Sequence, residues 1–485
     1  MSLYPLHSSF VSNMTELLGS NEATRLIAAL NTESPVSIRL NPSKHFFLND
    51  KELDLQSVPW CTWGYYLPKR PNFTGDPLFH SGYYYVQEAS SMLLYQIQKL
   101  LPSEEPITAL DLCAAPGGKS TLLLDMLSEG SLLISNEVIG HRANILMENL
   151  QKWGDPMSII TSAYPDKWGK LKDAFDLILV DAPCSGEGMF RKDLETRKEW
   201  NTNSPIECAT RQRSILASVW PSLTPGGLLV YSTCTFNREE NEDIVQYITE
   251  ELEGKAIDLD INIEGVLQSP LSPYPCYRMM PHRTRGEGLF MAVIRKSGER
   301  RPSSRNIRST NKQSKSSLSL PIRELESWLQ PQSKKWQWFA DRETIYTYPS
   351  EFIPMLEQLT RHKIRTLSYG VPIATTKGKS PTPHPALAYS QILSQNAFER
   401  IELSYPEAIT FLAKEPIILP NNLTQGIKLL THKSIPLGFV KHLSNRCNSL
   451  LPSEWRIRQP ERVRRLIESE SLFPNSCLCH YLISD

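Results

Sequence analysis

The chain has 485 residues, too many for one hydrophobic core, and its 52 basic and 52 acidic side chains cancel. The balance hides a split: residues 1–294 carry 24 Lys and Arg against 36 Asp and Glu, while residues 295–485 carry 28 against 16. A basic second half points to a polyanion partner there, with attraction between the two halves as the competing explanation.

Residues 1–80 read as a small α+β unit, with a polar helix over 15–30, a strand over 35–40 and an aromatic stretch at 60–66. From about 105, short apolar runs at 107–112, 132–135, 157–161, 175–180 and 228–232 alternate with helical segments at 119–127, 141–153 and 207–223. In the second of these, Ala143, Leu146, Leu150 and Trp153 share one helical face. The alternation predicts an α/β, Rossmann-like domain over 81–296: a parallel sheet with helices on both faces. A run at 288–294 predicts a last, antiparallel strand at the end of that sheet. Residues 297–320, rich in Ser, Arg and Lys, read as a flexible basic linker. Residues 321–485 regain globular composition, and runs at 427–430 and 436–440 predict a small α+β part.

Nine scattered cysteines, with no CxxC pair and no zinc spacing, exclude a disulfide framework and a metal module and fit a reducing cytoplasm; Cys477 and Cys479 sit too close together for a zinc pair. The start lacks a basic segment followed by an apolar run, and no apolar run reaches about 18 residues. The expectation is a cytoplasmic protein with no signal peptide, membrane span or metal.

In an open α/β sheet a ligand sits beyond the carboxyl ends of the strands, where glycines let backbone approach it. Here Asp111-Leu112 is followed by Cys113, Ala114, Ala115, Pro116, Gly117, Gly118 and Lys119. The spacing fits neither a P-loop nor the GxGxxG of dinucleotide binders. The next run ends at Asn136-Glu137, where a carboxylate can accept hydrogen bonds from both hydroxyls of a ribose. Each feature alone reads as an ordinary strand–helix turn. Together they favour a nucleoside cofactor without phosphate, and S-adenosylmethionine fits.

Two further runs lead into Asp181-Ala182-Pro183-Cys184-Ser185-Gly186 and Ser232-Thr233-Cys234-Thr235-Phe236. A free cysteine is most often a small buried hydrophobe. Two of them at the edge that carries the glycine turn point instead to covalent chemistry. Cytosine is a poor nucleophile at carbon 5; a thiolate adding to carbon 6 makes carbon 5 an enamine carbon able to take a methyl group. Asp181 is placed to hydrogen-bond the ring and support protonation at its N3 edge. Spacing leaves open which thiol attacks.

These motifs, with Ile38-Arg39-Leu40-Asn41-Pro42, Tyr85-Val86-Gln87-Glu88-Ala89-Ser90-Ser91, Pro281-His282 and Gly286-Glu287-Gly288-Leu289-Phe290, resemble the NOL1/NOP2/Sun RNA (cytosine-5)-methyltransferases over about residues 35–295. The resemblance is greatest to bacterial 16S ribosomal RNA members with a C-terminal PUA-like module. It implies Cys234 as nucleophile, Cys184 in product release as or with the base, and Cys113 through Lys119, Glu137 and Asp181 as the S-adenosylmethionine contacts. It also implies an RNA-binding role for the N-terminal unit. The chain departs from the family where an acid after the third strand usually meets adenine: Tyr164 stands there, and Asp166 two residues later. Residues 436–457 are similar to the PUA-like module, and Lys441, Arg446, Arg456 and Arg458 suit phosphate.

The expected function is therefore methylation of a ribosomal RNA cytosine by a monomeric enzyme. The alternatives are a transfer-RNA methyltransferase, a DNA-type enzyme attacking through Cys184, and a non-catalytic RNA-binding assembly factor.

Overall fold

The computed structural model describes residues 4–44, 55–299, 321–331, 336–376, 380–420, 422–443 and 446–469. Residues 300–320 of the expected linker, and Cys477 and Cys479, lie outside the described residues. The helix expected over 15–30 is two helices, Ser8–Leu18 and Ser20–Ala29, separated at Gly19, whose φ of +80° suits glycine. Their buried Phe10, Met14 and Leu26 pack with Phe190, Trp200 and Phe236, so the helix pair covers the two cysteine loops from outside.

Four short antiparallel strands follow: β1 (Val36–Leu40), β2 (Gln56–Ser57), β3 (Gly64–Leu67) and β4 (Tyr84–Val86), in the order β2-β3-β1-β4. This sheet is tied to the next domain by Arg39, whose side chain is wholly buried. The guanidinium pairs with Asp125, donates to Thr121 Oγ1 (2.6 Å) and Gln87 Oε1 (2.7 Å), and lies 4.6 Å from the Trp153 ring centre. Two residues on, Asn41 Nδ2 donates to the carbonyls of Gly82 and Trp153. The Ile38–Pro42 motif is thus the joint between the N-terminal sheet and the large α/β unit.

The large sheet contains β5 (Thr108–Asp111), β6 (Leu132–Asn136), β7 (Ser158–Ser162), β8 (Phe175–Asp181), β9 (Leu223–Thr233), β10 (Gly254–Ala256), β11 (Val266–Gln268), β12 (Tyr277–Met279) and β13 (Leu289–Lys296). The five expected parallel strands run β9-β8-β5-β6-β7. Helices Gly118–Met126, Gly140–Trp153 and Ser204–Val219 connect them, within a few residues of the expected bounds. Apolar residues of alternate strand positions feed two separate cores, one on each face. The expected antiparallel last strand is β13, paired with β9, but it is not at the end of the sheet: β12 and β11 continue beyond it.

The opposite edge is closed from far along the chain. Of β14 (Trp336–Asp341), β15 (Thr344–Pro349), β16 (Arg365–Tyr369), β17 (Val371–Thr375) and β18 (Thr382–Pro383), four form their own sheet while β16 pairs antiparallel with β7. Pairing satisfies the row of backbone groups that an edge strand would leave open. The last sheet is β19 (Glu399–Glu402), β20 (Gly426–His432), β21 (Ile435–Leu443) and β22 (Arg446–Ser449), with the two expected apolar runs inside β20 and β21. It is fastened back to the N-terminal region by Tyr405 Oη donating to the Gly75 carbonyl (2.7 Å) and Ser81 Oγ donating to that of Pro436 (2.7 Å).

Arg39→Ala leaves Asp125 buried without its cation. Burial already pushes that carboxyl up to about 7 against the opposing pull of Arg39, so it takes up a proton and limits the damage. The expected loss is about 3 kcal/mol, the low end for a broken buried pair, seen as a lower denaturant midpoint. An unchanged midpoint contradicts the joint.

Candidate active site

β8 and β9 pair in parallel with Asp181 opposite Ser232. The chain leaves both strands at the same end of the sheet, the end where β5 opens into the glycine turn. Cys184 and Cys234 therefore arrive together, both half-buried, with their sulfurs 3.3 Å apart. The sequence reading placed both thiols at one edge; the structure brings them into contact.

Two carboxylates hold the loops in that contact. Glu187, three residues after Cys184, accepts at Oε2 from Thr235 Oγ1 (2.7 Å), Phe236 N (2.8 Å) and Asn237 N (2.9 Å), all in the Cys234 loop. Glu240, six residues after Cys234, accepts from the Ser185 backbone N–H (3.0 Å) and hydroxyl in the Cys184 loop, and from Asn237 and Gln212. Gly188 N donates to the Cys234 carbonyl (2.8 Å), and a Cβ at Gly188 would meet that oxygen at 2.6 Å, so only glycine allows the approach. Glu187 and Glu240 escaped the sequence reading. Their one signal was a carboxylate within six residues of each cysteine, a pattern that usually means a solvated loop.

The two thiols sit in different fields. Lys119, which opens the helix after the glycine turn, places Nζ 2.8 Å from Asp181 Oδ2. Burial works against the charge on Lys119, but Asp181, Cys234 and Asp111 around it hold its pKa above the ordinary lysine value. Cys184 is pushed well up instead, by its hydrogen bond to Cys234, by burial and by the nearby Glu240 carboxylate. A cation thus faces Cys234 and a carboxylate faces Cys184. Asp181 is further fixed by Ser232 Oγ, which donates to Oδ1 (2.8 Å).

At the glycine turn, Gly117 has φ +116°, and Gly118 packs against Tyr85 of β4 and Gln87 just after it. Ala114 N donates to the Asn136 carbonyl (2.9 Å), which places the turn beside the end of β6. There Glu137 is buried, accepts from Ile139 N (2.9 Å) and has Arg142 3.6 Å away; Arg142 also donates to the Ala115 carbonyl (2.8 Å). Pro116 is exposed, and the Asn149 side chain donates to its carbonyl (2.8 Å). The Cys113 thiol is raised by burial and by Asp111, Asp181 and Glu137, which keeps this third cysteine neutral. Every residue expected in the turn, with Glu137 and Asp181, therefore belongs to one continuous rim.

Asp181 is paired with Lys119 and Glu137 has Arg142 3.6 Å away, so each of these cations is matched by an acid. Asp111 behind them is wholly buried, and burial pushes its carboxyl up to about 7. Beyond β7, Tyr164 is 66% exposed and Asp166 lies in the short helix Pro165–Trp168, also exposed. Asn136 organises that corner: Oδ1 accepts from Ala163 N (2.9 Å) and Thr161 Oγ1 (3.1 Å). Among the described residues, no group of His, Cys, Asp or Glu could hold a metal, and no helix is long and apolar enough to cross a membrane.

Residues 97–295 match the family described as 16S rRNA methyltransferase RsmB/F, residues 6–89 the N-terminal domain of 16S rRNA methyltransferase RsmF, and residues 398–457 the methyltransferase RsmF PUA domain. The ribosomal RNA small subunit methyltransferase F of Aliivibrio fischeri is 30% identical over 93% of this chain and 97% of its own; that of Erwinia tasmaniensis is 29% identical over 92% and 96%. Among solved structures, a methyltransferase homolog protein from Pyrococcus horikoshii is similar with a TM-score of 0.51 and 29% identity, covering 60% of this chain and 95% of its own. NSun6 from the same organism, crystallised with SFG, has a TM-score of 0.52 at 20% identity over 60% of this chain and 99% of its own, a likeness of fold. With a catalytic unit of the S-adenosylmethionine-dependent methyltransferase fold between its N-terminal and PUA domains, this chain belongs to the ribosomal RNA small subunit methyltransferase F family.

Proposed function

We propose that this enzyme methylates carbon 5 of a cytosine in ribosomal RNA, in the cytoplasm, through a covalent adduct on Cys234. The observation that carries the assignment is the unequal field across the sulfur pair, with Lys119 toward Cys234 and Glu240 toward Cys184. The hydrogen bond from its neighbour, burial and the Glu240 carboxylate all disfavour a thiolate at Cys184, which argues for attack by the other sulfur. The resemblance that implies Cys234 as nucleophile points the same way.

S-adenosylmethionine would be held by residues 113–119, Glu137 and Asp181, with the Glu137 carboxylate toward its ribose hydroxyls. When bound it supplies an electrophilic methyl group. The protein does the rest. The Cys234 thiolate forms a bond to carbon 6 of the ring, and the electron pair displaced from the 5,6 double bond makes carbon 5 nucleophilic. Asp181, held by Lys119 and Ser232, would bond the N3 edge and stabilise the proton there. After methylation the carbon 5 proton must leave, the double bond re-forms, and the sulfur–carbon 6 bond breaks to return the Cys234 thiolate. Cys184, in contact with that sulfur, serves this release, as or with the base.

The C-terminal sheet supplies RNA affinity. Lys441, Arg446, Arg456 and Arg458 are all exposed on or beside β21 and β22. Because β16 belongs to the catalytic sheet, removing the C-terminal half would expose β7, so charge substitution is the cleaner probe.

Cys184→Ala should accumulate a denaturation-resistant protein–RNA adduct, while Cys234→Ala should form none and transfer no methyl group; electrophoresis of the complexes reads both. The opposite pattern would make Cys184 the nucleophile. Lys441→Ala with Arg456→Ala should weaken RNA binding and lower the slope of log affinity against log salt by about 1 for each phosphate contact removed. An unchanged slope in a binding titration would take this face out of the RNA interface.

A further inference from the structure

Two reduced thiols in contact can be joined by a reagent that removes two electrons from them. Cys184 and Cys234 are both free, and their sulfurs are 3.3 Å apart. A sulfur–sulfur bond is about 2.0 Å long, so about 1.3 Å remains to be closed. The loops that carry them cannot spring apart. Glu187 of one loop takes the Phe236 and Asn237 N–H groups of the other, and Gly188 N donates to the Cys234 carbonyl. Asn237 Nδ2 donates back to Ser185 Oγ (3.2 Å) and to Glu240 Oε1 (2.8 Å). Side-chain rotation, without refolding of either loop, is left to close the gap. Access is open as well: both cysteines are half-buried, whereas Cys61 and Cys276 are buried.

We propose that Cys184 and Cys234 form a site of reversible oxidation, joined as a disulfide by hydrogen peroxide, and that this bond switches the enzyme off. Cys184 thereby gains a second role as the resolving thiol. In the first step the Cys234 thiolate attacks one peroxide oxygen, the oxygen–oxygen bond breaks, and hydroxide leaves and takes up the thiol proton as water. Cys234 is then a sulfenic acid. In the second step the Cys184 sulfur attacks the Cys234 sulfur, the sulfur–oxygen bond breaks, and the hydroxyl leaves as water with the Cys184 proton. Two thiols have lost two hydrogens, and one peroxide has become two waters.

The order of the steps rests on the reading of Cys234 as the thiolate; the bond between the sulfurs does not. A neighbour already in contact captures the sulfenic acid before a second peroxide makes it a sulfinic acid, which thiols do not reverse. The disulfide leaves neither sulfur free to add to a base. A small-molecule thiol in a reducing compartment reopens it.

The test starts with the full chain without RNA, treated with hydrogen peroxide, alkylated, digested without reductant and read by mass spectrometry. Wild type should give the Cys184 peptide joined to the Cys234 peptide, a product lost on adding dithiothreitol. Cys184→Ala should carry Cys234 as a sulfinic acid instead. Both thiols alkylated in treated wild type, or Cys234 as a sulfinic acid beside a free Cys184, overturns the oxidation site. Neither result bears on which sulfur attacks the base. The second readout is the covalent adduct with RNA. Treated wild type should lose adduct formation and regain it with dithiothreitol, whereas treated Cys184→Ala should lose it and not regain it. A cross-linked wild type that still forms the adduct, or equal recovery in Cys184→Ala, overturns the switch.

Discussion

The parallel pairing of β8 with β9, Asp181 opposite Ser232, is the constraint on which the site depends. Side chains in a strand alternate between faces, so a slip of one residue would turn Ser232 away from Asp181 and separate the loops that follow. Both strands are buried on both faces, and their apolar residues fill the two cores that fix the register. From that register come the Ser232–Asp181 bond, the Lys119–Asp181 pair and the 3.3 Å contact of the sulfurs. The reactive groups sit in loops, but the sheet sets where those loops begin.

Register alone would leave two thiols on loops free to drift. The crossed carboxylates remove that freedom, since each reaches from one cysteine's loop to the other's. Burying a carboxylate is costly unless its oxygens are well supplied with donors, and here several donors converge on each. The clasp also touches the chemistry. The hydrogen bond to Cys234 and burial raise Cys184, and the Glu240 carboxylate adds to them, while Lys119 stands toward Cys234. Stability given up at this point serves the spacing and the charge of the pair.

Much of this was legible in the sequence, for a physical reason. Parallel strands buried on both faces read as continuous apolar runs, and all five were placed within a few residues. The glycine turn and both cysteines followed from what lies just after those runs. What escaped was set by distant partners. The break at Gly19 interrupts a pattern that otherwise reads as one helix. β16 is an ordinary short run whose partner, β7, lies about 200 residues earlier, and β11 and β12 are three residues each. Arg39 would pass for a surface residue in a strand, and Glu187 and Glu240 for solvated loop acids. Their roles exist only once the chain has brought their partners to them. Tyr164, which replaces the expected acid, lies at a corner that Asn136 holds through the Ala163 backbone N–H and the Thr161 hydroxyl.

The central claim is that two neighbouring thiols have been made different, and that Cys234 is the one that bonds to the base. It is tested most directly by trapping wild-type enzyme on RNA that carries 5-fluorocytosine at the target. Fluorine at carbon 5 cannot leave as a proton, so release stalls with the thioether intact. Protease digestion and mass spectrometry of the trapped complex then locate the nucleotide on the chain. The account predicts the nucleotide on the peptide containing Cys234, with Cys184 unmodified. A nucleotide on Cys184 would contradict it.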